Sequence, residues 1–163
     1  MNIETIREGE DREDGFTLIE LMVVVLVIAI LLAIAVPTFL GARSRAQNSV
    51  AKSSLRTALS AANVLYTDTS SFNPISQSSL NTAEASLSWS AASSTASTDA
   101  KTISWGAANS GADFYAAAYS ASGTCYFLKS VSGAVSYGTT SGSSNCNANY
   151  GMLTATYASA WTS

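Results

Sequence analysis

The chain has 163 residues, of which 47% are hydrophobic and 12% are charged, so it is long enough for one folded domain and an additional element. The formal net charge is -3. The first fifteen residues hold six acidic and two basic side chains, or -4, which leaves +1 on the remainder. A body this close to neutral argues against a polyanion-binding protein, because phosphate-driven affinity needs many cations.

A polar, mostly acidic leader (residues 1–15) ends at Gly15 and is followed directly by the longest apolar run of the chain. Apart from Glu20, residues 16–42 contain no charged side chain, and we call them the apolar segment. As a helix this segment would be about 40 Å long, enough to cross a hydrocarbon core of about 30 Å. A cleaved secretory signal would start with cations and have a shorter apolar stretch. We therefore predict a retained membrane helix rather than a removed signal peptide.

Glu20 is the single ionisable residue of the apolar segment. Such residues are rare within membrane helices and are functional-site hypotheses by default. The structural alternative is a position near the interface at a helix N-terminus, where the helix dipole favours a negative charge. Its depth along the helix does not distinguish these two roles.

The residues around Glu20 form a specific pattern that covers about residues 15–45. Gly15 is followed by Phe16-Thr17-Leu18-Ile19-Glu20-Leu21, then by an apolar run with Pro37 and a basic helix. This pattern resembles the leader and N-terminal helix of the type IV pilins and of the type II secretion pseudopilins. The resemblance implies that a membrane aspartyl peptidase, the prepilin peptidase, cuts between Gly15 and Phe16. It also implies that Phe16 is then N-methylated.

The resemblance further implies an assembly role for Glu20 and its neighbours Thr17, Leu18, Ile19 and Leu21. Glu20 of one subunit would neutralise the Phe16 ammonium of another, although pairing within one subunit is also open because residues four apart are helix neighbours. Apolar packing would supply most of the binding energy, and the charge pair would set the register. The implied partners are other copies of the chain, the prepilin peptidase, the pilus assembly platform with its ATPase, and the membrane before assembly.

The flanking charges and the resemblance disagree about topology. The C-terminal flank of the apolar segment carries four cations and the N-terminal flank carries two, so the positive-inside rule would place the C-terminal part in the cytoplasm. The leader also has acids where this family usually has Lys or Arg beside the glycine. Following the resemblance, we expect a single-pass inner-membrane precursor that becomes part of an extracellular pilus on the cell surface.

Pro37 and Gly41 predict a kink within the long helix. The proline ring clashes with the carbonyl of Ala33 and donates no hydrogen bond, and Gly41 loosens the following turn. An ordinary membrane-helix kink is one interpretation. The other is a segment that straightens or melts during filament packing.

An amphipathic helix is predicted over residues 43–66, continuing the apolar segment. At 100° per residue one face collects apolar side chains able to pack on a sheet: Ala51, Leu55, Ala58, Leu59, Ala62 and Tyr66. Beside it Arg45, Lys52 and Arg56 form a basic stripe, interpreted as a solvated edge. A weaker alternative is pairing of this stripe with Asp68 or Asp113 of neighbouring subunits.

Residues 67–163 are predicted to form a head with a small antiparallel sheet. A Ser/Thr-rich connection extends to residue 100, with a short helix near residues 80–87 capped by Ser79 or by Asn81-Thr82. Four strand-like runs then predict a meander at 102–105, 113–120, 124–131 and 134–137. The expected class is α+β, a long helix packed on a small sheet, which matches the lollipop shape of the pilins. Residues 150–163 fit either a strand or a helix.

Cys125 and Cys146 are the only cysteines of the chain. In an extracytoplasmic head they favour a disulfide over two free buried thiols. A metal site is disfavoured because two cysteines and no histidine cannot complete a zinc site. A disulfide here would pin the Gly/Ser/Asn-rich segment at residues 139–149.

No enzyme is predicted, since the chain has no histidine and its mature acids occur singly. Neither a cofactor nor a specific nucleic acid is expected as a ligand. The predicted function is that of a type IV pilin polymerised into a helical filament for adhesion, motility or DNA uptake. One alternative is a pseudopilin or minor pilin of a type II secretion or competence system. The other is a single-pass anchored surface domain that never polymerises.

Overall fold

The computed structural model of the chain describes residues 15–161. Within this range the elements follow in the order α1 (Leu18–Thr69), α2 (Gln77–Ala83), β1 (Ser88–Trp89), β2 (Thr102–Ala108), β3 (Asp113–Tyr119), β4 (Thr124–Val131), β5 (Ala134–Ser141) and α3 (Ala148–Leu153). The predicted α+β class, a long N-terminal helix with a small sheet, is confirmed. Residues 1–14 of the predicted leader and the last two residues of the head lie outside the described range.

The described chain divides into two compact units between Leu40 and Gly41, and α1 contributes to both. In the first unit every side chain of residues 15–40 is exposed. The second unit, residues 41–161, contains the rest of α1, the two short helices and all five strands; we call it the head unit. Helix α1 ends three residues beyond the predicted Tyr66, where Ser70 adopts a positive φ of 55° and donates its N–H to the Tyr66 carbonyl.

The sheet of the head unit has the strand order β1-β2-β3-β4-β5. Strands β2 to β5 form the predicted antiparallel meander, and β2 and β5 each extend further than predicted. Strand β1 was missed, because Ser88 and Trp89 are too few to show a pattern. It pairs with β2 in parallel and places Trp89 in the core, only 4% exposed.

One face of the sheet packs on the part of α1 that belongs to the head unit. Ala51, Leu55, Ala58 and Ala62 are fully buried, as predicted, while Leu59 and Tyr66 are partly buried beside them. The sheet contributes the large side chains of this core: Ile103, Phe114, Tyr126 and Leu128. Small alanine side chains dominate the helix side of this core.

The opposite face of the sheet is also covered, which the sequence analysis did not predict. Helix α3 packs on β2, β3 and β4 and is capped by Asn147, whose side chain accepts a hydrogen bond from Tyr150 N–H. A second core forms there around Ala117, Cys125, Phe127 and Cys146. Burial on both faces explains why six of the seven residues of β3 are buried.

Residues 155–161, which we call the strap, cross the outer edge of β5. On one face Tyr157 packs beside the second core, and on the other face Trp161 packs beside the first. Between them Tyr137 and Ala158 exchange two backbone hydrogen bonds, 2.9 and 2.8 Å long. The segment at 150–163 that fitted either a strand or a helix is therefore the end of α3 followed by this irregular strap, as far as residue 161.

Helix α2 begins earlier than predicted. Its cap is Ser76, whose side chain accepts from Ser79 N–H while the Ser79 hydroxyl accepts from Ser76 N–H. Ser79 is thus the partner within this capping box, and Asn81 and Thr82 lie inside the helix. The helix ends at Ala83 because the chain turns at Glu84, whose carboxylate accepts from Ser86 N–H, so residues 84–87 are not helical.

Candidate functional site

The predicted assembly residues surround the start of α1. Thr17 precedes the helix, and its backbone N–H and hydroxyl both donate to Glu20 Oε2, at 3.0 and 2.8 Å. Glu20 N–H donates back to the Thr17 hydroxyl at 3.3 Å. This reciprocal arrangement is a capping box, which satisfies backbone donors that a helix start leaves unpaired. Thr17-x-x-Glu20 before an apolar run is the sequence signature of such a box, so this contact was detectable from the sequence.

Glu20 therefore has a structural role within its own chain. The capping box does not exclude an assembly role, because both donors from Thr17 bind the same oxygen, Oε2. The other oxygen, Oε1, accepts no hydrogen bond within residues 15–161. A cation from elsewhere could bind there without breaking the helix cap.

The apolar side chains next to Glu20 are fully available for contact. Phe16 is 84% exposed, Leu18 75%, Ile19 70% and Leu21 59%. Gly15 is also exposed and lies before the helix, with nothing within 4 Å of the position that a Cβ would take. Cleavage between Gly15 and Phe16 remains a prediction.

The exposed apolar surface continues along the first unit. Among the described residues, α1 is the one helix long and apolar enough to cross a membrane, and its apolar window has no buried side chain. An apolar surface of this length is unusual in a chain that stays alone in water.

Helix α1 is continuous through Pro37 and Gly41. The hydroxyl of Thr38 donates to the Ile34 carbonyl at 3.0 Å, a local bond next to the turn in which the proline provides no donor. No neighbouring atom lies within 4 Å of a Cβ built at Gly41, so space does not require glycine there. The predicted kink and its role in packing remain predictions.

The basic stripe is less solvated than predicted, because two of its three cations lie over aromatic rings. Lys52 Nζ is 5.1 Å from the Tyr126 ring centre and 5.8 Å from that of Trp161, and Arg56 Cζ is 5.0 Å from that of Trp161. These cation–π contacts attach the strap to α1. Arg45 is exposed and makes no such contact within the described residues.

Most described carboxylates are already bound within the chain. Asp113 is 2% exposed and accepts from the Asn109 side chain, so the proposed pairing of Asp113 with a neighbouring subunit is wrong. Burial raises the pKa of Asp99, but hydrogen bonds from Lys101 and Thr102 outweigh it and hold the pKa below its usual value. Asp68 is exposed in the last turn of α1 and makes no hydrogen bond within residues 15–161.

The predicted disulfide is confirmed: Cys125 in β4 is bonded to Cys146, which precedes α3. Both residues are fully buried in the second core. The bond ties the segment after β5 to the sheet, and the Cys146 carbonyl accepts from Ser97 N–H at 2.7 Å. Near it, burial raises the pKa of the Tyr157 phenol, whose hydroxyl donates to the Gly151 carbonyl at 2.9 Å.

Comparisons with known proteins point to the same N-terminal region. A family model described as the prokaryotic N-terminal methylation motif matches residues 11–36. The type IV major pilin protein PilA of Myxococcus xanthus (strain DK1622) is 48% identical over 61 residues, which are 37% of this chain and 24% of that protein. The chain therefore spans less than a third of the length of the curated relative it matches. No solved structure matches the chain at a significant level.

The motif and the Gly15-to-Leu21 pattern agree in position with the exposed helix start and the uncharged segment after it. The long helix and small, mostly antiparallel sheet of the described residues form an α+β, pilin-like architecture. The chain therefore carries an N-terminal methylation motif and, over 61 residues, is similar to a type IV major pilin.

Proposed function

We propose that this chain is a pilus subunit that is cut between Gly15 and Phe16, N-methylated on Phe16 and polymerised into an extracellular filament. Before assembly its apolar segment spans the membrane as a single helix. In the filament the same surface packs against other copies of the chain. Prepilin peptidase, the assembly platform and its ATPase are the partners that this cycle needs.

The observation that carries the proposal is the complete exposure of residues 15–40. Burying apolar surface is worth about 25 cal/mol per Å², so a helix with large apolar side chains on all sides is driven to find an apolar environment. The bilayer provides it for a single chain, and copies of the same helix provide it in a polymer. A permanent anchor would need the membrane alone, but it would not explain a carboxylate at the fifth position after Gly15.

The geometry at Glu20 supports a double role for its carboxylate, in the helix cap and in the proposed polymer. Oε2 caps the helix through Thr17, and Oε1 points to no donor of the described chain. Cleavage after Gly15 would turn the Phe16 amide into an ammonium, the cation that Oε1 of a neighbouring subunit can bind. A charge-assisted bond of this kind is shorter and stronger than a neutral one.

Two substitutions separate the capping role of Glu20 from its assembly role. Glu20→Gln keeps a side chain that can complete the capping box but removes the charge. Thr17→Ala removes the cap and keeps the charge, at a cost to the helix start of about 1 kcal/mol. We expect Glu20→Gln to be inserted and cleaved normally yet to yield few filaments, and Thr17→Ala to retain most of them.

The measurement is the amount of sheared surface filament by immunoblot and electron microscopy, with mass spectrometry of the subunit N-terminus. Thr17→Ser, which preserves the hydroxyl, is the matched control for Thr17→Ala. Normal filaments from Glu20→Gln would reject the charge pairing. A subunit that still carries Gly15 in wild-type cells would reject the whole cycle.

A further inference from the structure

Two arginines directly after the apolar segment have no role in the site described above. Arg43 and Arg45 follow Ala42, the last residue of the segment, and both side chains are exposed. Neither makes a hydrogen bond or a cation–π contact within residues 15–161. By contrast Lys52 and Arg56, further along α1, lie over the rings of Tyr126 and Trp161.

The two arginines lie on opposite sides of the helix at nearly the same height. Residues two apart differ by about 200° around the axis and about 3 Å along it. Between them lies Ser44, half-buried, on the helix face that continues through Ala51 and Leu55 into the core. The arginines thus flank the buried face, one on each side, at one level.

A partner that binds both arginines must reach both flanks of the helix. A protein surface approaches from one side and would bind one arginine more easily than both. A layer of lipid headgroups surrounds an inserted helix at a single depth, and long basic side chains reach such a layer from the end of an apolar helix.

A second copy of the chain is also a poor source of counter-charges. Of its described carboxylates, Glu20 is assigned by the proposed function to the Phe16 ammonium of another copy, in addition to its bond with Thr17. Glu84 binds Ser86, and Asp99 binds Lys101 and Thr102, through their backbone N–H groups. Asp113 is buried against Asn109. Asp68 alone is exposed without a hydrogen bond among these residues. One carboxylate per copy cannot match two arginines, whereas an anionic lipid surface offers many phosphates.

We propose that Arg43 and Arg45 form a collar that binds the phosphate groups of anionic phospholipids at the membrane surface. The proposal rests on the proposed function in one respect, the insertion of the apolar segment into a bilayer. It gives the inserted helix a specific partner, an anionic phospholipid. The collar fixes the depth of this helix in the membrane and must release its lipids when the subunit enters a filament. It also gives a reason for two of the four cations on a flank where the positive-inside rule does not expect them.

The test uses the full-length chain purified in a neutral detergent and mixed with phosphatidylglycerol or phosphatidylcholine. The lipid retained per chain is counted by mass spectrometry for the wild type, Arg43→Gln, Arg45→Gln and the double variant. We expect the wild type to retain phosphatidylglycerol preferentially, and each substitution to lower that retention about fivefold. Added salt should weaken retention, since the contacts are at the surface.

The matched control is Lys52→Gln with Arg56→Gln, which removes two charges from the same helix. These residues lie about 10 and 16 Å beyond Arg45, further than the Debye length of about 8 Å, so lipid retention should change less than twofold. Equal retention of both lipids by the wild type, or unchanged retention by the double Arg variant, would overturn the collar. Displacement of the lipid by inorganic phosphate at equal phosphate concentration would also overturn it, as it would identify a site for free phosphate.

Loss of filaments by the double Arg variant with normal lipid retention would also reject the collar, and would assign the arginines to contacts between copies. Because lipid retention is measured on purified subunits, it is independent of polymerisation. If Glu20→Gln forms normal filaments while the arginine variants lose lipid, the proposed charge pairing fails and the collar stands.

Discussion

The apolar side chains of the two units have opposite environments, buried in the head unit and exposed in the first unit. In the head unit, Leu55, Phe114 and Leu128 are fully buried within one chain. In the first unit, residues 15–40 are mostly apolar and all of them are exposed. The comparison teaches that the head unit buries its own apolar core, whereas the first unit, in the proposed function, is completed by lipid or by other copies. Changes in the two units should therefore fail in different assays.

The largest effect is expected from a charge in the middle of the apolar segment. Ile28→Asp should abolish filaments, because an aspartate near the centre of a membrane helix costs about 3 kcal/mol and cannot be packed among apolar neighbours. Ile28→Val is the matched control and should form filaments. The thermal unfolding of the head unit, followed by near-UV circular dichroism in detergent, should be the same for both. A lowered unfolding temperature for Ile28→Asp would show that the stability of the head unit depends on the first unit.

The reverse experiment changes the core of the head unit. Leu55→Ala removes a fully buried side chain and should lower the free energy of unfolding by about 2–5 kcal/mol. Val64→Ala, at a position that is 60% exposed on the same helix, should cost less than about 0.5 kcal/mol. Chemical denaturation of the two variants measures the difference. Equal stabilities would mean that α1 does not pack on the sheet as described.

Removal of the disulfide tests the stability of the second core alone. Its cysteines are 21 residues apart, and in the chain-entropy model opening such a loop costs about 3 kcal/mol. Cys125→Ser with Cys146→Ser should therefore lower the midpoint of denaturation, while membrane insertion and cleavage after Gly15 remain intact. Thiol labelling of the denatured wild type without a reductant should find no free cysteine. Two labelled thiols would disprove the bond.

A smaller effect is expected at the strap. A Cβ at Gly138 would lie 2.7 Å from the Thr156 carbonyl oxygen, so Gly138→Ala must push the strap away from β5. We expect a loss of about 1–3 kcal/mol and faster hydrogen exchange at Tyr137 and Ala158. Thr139→Ala, exposed on the same strand, should change neither quantity. Unchanged exchange in Gly138→Ala would show that the strap is not held at this edge.

The smallest effect is expected on the free energy of unfolding at alkaline pH. Burial of the phenol raises the pKa of Tyr157 above its usual value near 10, so this side chain favours the folded state below pH 10 and loses that contribution as the pH rises. Tyr157→Phe should flatten the decline in the free energy of unfolding above pH 10. It should also cost about 1 kcal/mol at neutral pH, because the hydrogen bond to Gly151 is lost.

The parts of the fold that were predicted correctly have strong local patterns. The apolar face at Ala51, Leu55 and Ala58 repeats with the helix period, and the strands of the meander are separated by evident turns. The class, the long helix and four strands follow from these features. The cysteine pairing was predicted from the even count and the expected compartment.

The missed features depend on contacts between residues far apart in the sequence. Strand β1 has two residues and exists because it pairs with β2. The strap is irregular, and Tyr157 and Trp161 are ordered by residues more than twenty positions earlier, such as Phe127. The burial of Asp113 depends on the same sheet. For the site, Glu20 was recognised, but its bond to Thr17 was not, although the spacing alone predicts a capping box.

The strap has a further consequence for the proposed filament, in which copies of the chain are crowded together. Strand β5 is the last strand of the sheet, and a free outer strand is a template for unwanted cross-strand association. By pairing Ala158 with Tyr137 near the middle, the strap leaves three unpaired residues towards one end of β5 and four towards the other. Aggregating segments typically need about six consecutive residues. Many such domains can therefore be held side by side at high local concentration with little tendency to fuse into an amyloid-like sheet.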